Sequence, residues 1–116
     1  MEFEGVRQIG CTFPGVELGT AWGQPALRIG KRTFTCIASH RSAEPGTLVV
    51  RIDFDRRAEL LEEAPDVYYL TDHYVGYPAV LVRLSKIKPD ALRGLLAGAI
   101  QHVQRQPARR KRASRT

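Results

Sequence analysis

Two cysteines, three histidines, one methionine and one tryptophan are all that 116 residues offer to redox, metal or soft-ligand chemistry. Cys11 and Cys36 form no Cys-x-x-Cys pair, which leaves out the usual thiol redox and zinc motifs. Two thiols without a disulfide framework suit a reduced compartment, and the expected location is cytoplasmic. The start, Met1-Glu2-Phe3-Glu4, is acidic and has neither the basic nor the apolar region of a secretory leader. The longest aliphatic run, Ala79-Val80-Leu81-Val82, is far too short to cross a bilayer, so no membrane partner is expected.

Catalytic signatures are missing as well. There is no Gly-x-Ser-x-Gly elbow. Gly30-Lys31 has Pro25 where a phosphate-binding loop needs its first glycine and Arg32 where it needs Ser or Thr, so it reads as a hairpin turn. Cys36 and His40 are four residues apart. On an extended strand that is roughly 13 Å, too far to share a zinc ion held at about 2 Å per ligand. Ser39 and His40 are neighbours in sequence, which is not the geometry of a Ser–His pair. The expectation is a non-catalytic protein with no metal and no cofactor. A small-molecule site would require a pocket converging on His73 and the tyrosines around it.

What is present is an ordinary globular composition, 43% hydrophobic, in a chain sized for one domain. Phe3, Val6 and Ile9 approximate helical spacing over residues 2–12, closed by Pro14-Gly15. Extended segments follow at 18–23, ending in Trp22-Gly23, and at 26–29 and 32–38. The last two are joined through Gly30-Lys31, read as a type II′ turn. Residues 41–46 form a loop or a second hairpin tip, and 48–52 is a β-branched strand. Asp55 is the expected N-cap of a helix over 56–64, with Ala58, Leu61 and Leu60 buried, and Pro65 stops it. Strands are expected at 67–70, with one of its tyrosines in the core, and at 79–84. Pro89 opens a last helix whose stripe is Leu92, Leu95, Leu96, Ala99 and Val103. The fold class is therefore α+β: a largely antiparallel sheet of five or six strands with helices on one face, in the order helix, three or four strands, helix, two strands, helix. The domain is expected to span 1–106, with a basic, disordered tail over 107–116.

Several stretches together resemble one family. They are Phe13-Pro14-Gly15-Val16-Glu17, Thr20-Ala21-Trp22-Gly23-Gln24-Pro25-Ala26, Gly30-Lys31 with Phe34, and Arg57-Ala58-Glu59-Leu60-Leu61. Tyr69-Leu70-Thr71-Asp72-His73-Tyr74 and Gly76-Tyr77-Pro78-Ala79-Val80-Leu81-Val82-Arg83-Leu84 complete the series. In order and spacing, over about residues 6–103, it resembles the MmcQ/YjbR family. The resemblance implies a compact α+β fold with two projecting hairpins, a double wing, and members are commonly labelled DNA-binding. It supplies no residue roles.

Charge gives the residues a function could use. The net charge is +6, but Arg109, Arg110, Lys111, Arg112 and Arg115 carry five of those charges, and the remainder holds 13 basic and 12 acidic residues. Alternation along the strands predicts Arg28, Arg51 and Arg83 on one open sheet face, with Lys31 and Arg32 at a hairpin tip. Such a face can follow a phosphate backbone, and the tail residues Arg109, Arg110, Lys111 and Arg112 add non-specific attraction. His73, Tyr74 and Tyr77 are candidates for base stacking, whereas Trp22 is read as a core or edge anchor. The favoured reading is a double-stranded DNA-binding module. The alternative is a protein-interaction module or homodimer using the sheet face or its edges.

Overall fold

The computed structural model describes residues 1–105; Arg109, Arg110, Lys111 and Arg112 lie outside the described residues. Nine elements follow one another: α1 (Phe3–Gly10), β1 (Val16–Ala21), β2 (Gln24–Ile29), β3 (Arg32–Ile37), β4 (Thr47–Arg51), α2 (Phe54–Glu63), β5 (Tyr68–Tyr69), β6 (Ala79–Arg83) and α3 (Pro89–Arg105). The six strands make one antiparallel sheet in the order β1-β2-β3-β4-β6-β5. This is the α+β arrangement read from the sequence, with four strands before α2.

One face of the sheet carries the core. Leu27, Leu48, Val50, Val80 and Val82 are fully buried there, paired through the registers Leu48↔Val82 and Val50↔Val80. The three helices close over this face. The predicted α3 stripe is entirely buried, with Leu92, Leu96 and Ala99 at zero exposure. Each of its buried leucines contributes about 1.5–3 kcal/mol on leaving water. Tyr68 is the tyrosine of β5 that joins this core. A register shift between Leu27 and Arg28 bulges β3, so that Phe34 and Thr35 both turn inward. The Thr35 hydroxyl is satisfied by donating to the Val49 carbonyl at 2.8 Å.

Local details depart from the sequence reading in four places. The N-cap of α2 is Asp53, not Asp55: its backbone is extended and its carboxylate accepts the Arg56 amide at 2.7 Å. Within α2 it is Arg57, not Ala58, that is buried beside Leu60, three residues on along the same face, because the carbonyls of Val75, Tyr77 and Ala79 accept its guanidinium, while Ala58 is exposed. The Gly30-Lys31 turn has positive φ at both central residues, 57° and 72°, which makes it type I′ rather than type II′. Trp22 is no anchor. With Gly23 it forms a second type I′ turn, at φ 55° and 77°, and it is 86% exposed.

Candidate functional site

The sheet's other face carries no helix, and the strand registers map it residue by residue. Gly19, Ala26, Cys36, Val49, Leu81 and Tyr69 form its middle row. Glu17, Arg28 and Thr33 lie toward one end, level with the Arg51↔Ala79 pair, and Thr47 with Arg83 toward the other. The six strands hold four arginines and one acid, Glu17. Half of this face is covered. Leu81 and Ala79 are buried, as is Tyr74, its hydroxyl bonded to the His40 backbone and close to Cys36 and Tyr69. Burial there pushes the Tyr74 phenol above its ordinary range.

Two loops wall the site, residues 38–46 and 70–78. The imidazoles of His40 and His73 stack with centroids 3.5 Å apart and planes 6° from parallel. Tyr74 stands edge-on to both, and Tyr77 lies tilted against His73 at 6.0 Å. The predicted stacking set His73, Tyr74 and Tyr77 is thus brought together, but Tyr74 is buried and only His73 and Tyr77 face solvent. His40 joins them across 33 positions of sequence, and no local spacing reveals that. Its Nδ1 accepts the Ser42 amide at 3.1 Å and meets the Ser42 hydroxyl at 2.8 Å, which in turn meets Thr71 Oγ1 at 2.8 Å. Partial desolvation, followed by the nearby His73 and Arg41, holds the His40 pKa below its usual value.

The five predicted arginine and lysine contacts separate into two groups. Arg83 is on the expected face but is bound into the structure. It makes a bidentate pair with Glu44 at 2.9 Å on both arms, donates to the carbonyls of Pro65 and Asp66, and lies 4.3 Å from the Tyr69 ring centre. The Tyr69 hydroxyl accepts the Glu44 amide and meets Thr47, so the group fastens the 38–46 loop to β5 and β6. Arg32 pairs with Ile29, whose side chain packs on the core, and its guanidinium donates to the Val103 carbonyl of α3. Arg32 therefore serves the helix side and not the open face. Arg28, Arg51 and Lys31 are exposed. Arg28 lies along Gly19 and holds Glu17 loosely at 3.8 Å. Arg51 has no ion-pair partner among the described residues.

A groove of about 520 Å³ runs between α2 and α3 on the opposite side, floored by Ile52, Leu60, Leu95 and Tyr68. His73 is not part of its lining, so it is not the convergent pocket that the small-molecule reading required. Among the described residues no group of three His, Cys, Asp or Glu side chains is placed to hold a metal ion. None of the described helices is long and apolar enough to cross a membrane.

An α+β domain with one helix-free sheet face, half covered by loops and bearing exposed Arg28 and Arg51, is what fold and site define, and comparison with known proteins agrees on the fold. A crystal structure of Deinococcus radiodurans protein DR2400, a DUF419 domain, superposes with a TM-score of 0.71 over 90% of this chain and 80% of that one, at 18% identity. DUF419 is the MmcQ/YjbR-like family. In sequence the chain is 36% identical over 81 residues to the uncharacterized protein Rv2570 of Mycobacterium tuberculosis and to the uncharacterized protein Mb2600 of Mycobacterium bovis. The match takes 68% of this chain and 61% of each relative, so the chain spans less than two thirds of their length. No family model matches it.

Proposed function

We propose that this chain is a non-catalytic, cytoplasmic nucleic-acid-binding domain of the MmcQ/YjbR-like type, gripping the phosphate backbone, duplex DNA included. The observation that carries this reading is the uncovered half of the second sheet face. Arg28 and Arg51 are exposed on it, Lys31 stands at the β2–β3 tip, and Glu17 is its one strand acid. Cations on a rigid sheet release counterions from a phosphate chain without reorganising, and they carry no base readout. The two type I′ hairpin tips stand at opposite ends of β2, which suits the double-wing description. Arg109, Arg110, Lys111 and Arg112 add attraction that is independent of the fold.

The test is duplex binding across salt by the full chain, in two variants. Arg28→Ala with Arg51→Ala is expected to flatten the log–log salt slope by about 2 units. Arg109, Arg110, Lys111 and Arg112 changed together to Ala should flatten it by about 4 units if all four engage duplex. An unchanged slope in the first variant removes the sheet face from the account. Function would then shift to the apolar end of the molecule. There Phe54, Val75 and Tyr77, each about half exposed, surround Arg57, and self-association by sedimentation would become the deciding measurement.

A further inference from the structure

The β1–β2 hairpin ends in a residue that folding alone does not choose. Ala21 and Gln24 are paired, so Trp22 and Gly23 are the whole turn. A type I′ turn asks for left-handed backbone at both positions and favours Asn-Gly there. Trp22 occupies the first position at φ 55°, a conformation that bulky side chains adopt only at a cost. Its indole recovers none of that cost by burial, being 86% exposed with no ring or hydrogen-bond partner among the described residues. A strained, exposed aromatic ring on a hairpin tip stands where a partner can reach it.

Its surroundings say which partner. Thr20, Ala21, Gln24 and Pro25 flank it, none of them a large apolar residue, and the hairpin's one other exposed large apolar side chain, Leu18, stands four residues away. A membrane wedge or a protein hot spot would be ringed by further apolar side chains. A base needs only one flat ring and a nearby cation. Strand β2 leads from the tip to Arg28, about 13 Å from Gln24 at the rise of a strand. Because β3 runs antiparallel to β2, the chain leaving Ile37 emerges at the Trp22 end of the sheet, where exposed Arg41 follows.

We propose that Trp22 is a base-stacking contact: the hairpin tip lays its indole on an unpaired base while Arg28 and Arg51 hold the backbone, so that single strands are preferred to intact duplex. This rests on the nucleic-acid reading above and adds to it the form of the nucleic acid. Stacking on aromatic side chains is tolerant of sequence because every base has a π-face, but the base must first leave its own stack.

Trp22 is the chain's one tryptophan, so intrinsic fluorescence reports on this position alone. The full chain is titrated with dye-labelled oligo-dT and with a duplex of equal length, following dye anisotropy and indole emission together. Oligo-dT is expected to bind more tightly and to quench the indole along the same curve. Trp22→Asn restores the turn's preferred residue, so it should raise the thermal midpoint while weakening oligo-dT binding roughly 5- to 150-fold. Trp22→Phe should recover part of the lost affinity. A residue that merely anchored the fold would lower the midpoint on the same change to Asn. Binding by anisotropy with unquenched indole and an unaffected Trp22→Asn variant overturns the stacking contact and leaves the nucleic-acid reading standing. No anisotropy change with either oligonucleotide at low salt overturns both. An emission shift to the blue with phosphatidylserine vesicles, and no response to oligo-dT, overturns it in favour of a lipid surface.

Discussion

Arg57 shows how a single side chain can set the shape of a site it does not line. It is buried in α2, its guanidinium sits 4.7 Å from the Phe54 ring centre, and it donates to three backbone carbonyls, those of Val75, Tyr77 and Ala79. Those carbonyls belong to the stretch that carries Tyr77 and leads into β6. Burial lowers the arginine's pKa from its ordinary value, yet the group remains charged at any working pH. Arg57→Met keeps the volume and strands the carbonyls, and is expected to cost about 2–4 kcal/mol in urea unfolding. Arg57→Lys should recover little, since one ammonium cannot serve a forked set of acceptors. The charge of Arg57 was visible in the sequence, but its burial was not, because the acceptors lie about twenty positions away. The same holds for Arg83, which alternation placed on the correct face while its bidentate partner Glu44 came from a distant loop.

Among the elements, α3 and the hairpins were the most legible, and for physical reasons. The α3 stripe repeats at helical spacing over seventeen residues, which leaves little choice of face. Two-residue turns are dictated by Gly23 and Gly30, although the turn class depends on φ at Lys31, which composition does not fix. In the connection after β5 the sequence offered His73, Tyr74 and Tyr77 as a stacking set, but not His40 from the loop after β3, since the two stacked histidines have no periodicity to join them. Packing between elements yields a paired test. At Gly10, the last residue of α1, a Cβ would fall inside the side chain of buried Leu27. At Gly94, in the interior of α3, it would meet nothing within 4 Å. Gly10→Ala is expected to destabilise by about 1–3 kcal/mol through overpacking. Gly94→Ala should stabilise by about 0.5–1 kcal/mol through helix propensity. Denaturation midpoints of the two variants should therefore move in opposite directions.

For the molecule as a whole, the buried histidine of α3 links folding to pH. His102 is 6% exposed and its Nε2 has no hydrogen-bond partner among the described residues. Burial first, then the positive Arg51 and Arg105 with Asp53 opposing, holds its pKa below the ordinary value. The unfolded chain, titrating near about 6.5, then binds the proton that the folded chain refuses. Stability should be fully present above that pH and fall as the solution is acidified through the window beneath it, with His40 acting in the same sense. His102→Leu should flatten this decline, as read from thermal midpoints between pH 7.5 and about 5.

The strand order sets the sequence of events by which the molecule assembles. From β1 to β4 every pairing joins strands adjacent along the chain, so each can zip from its own turn with little loop to close. The β4–β6 ladder is different: it joins Thr47–Arg51 to Ala79–Arg83 across α2 and β5. That closure costs more chain entropy than any other pairing in the sheet, and it also brings in the covered half of the second face. The hairpins bearing Trp22 and Lys31 can therefore form early, whereas the histidine wall can exist only once β6 has joined β4.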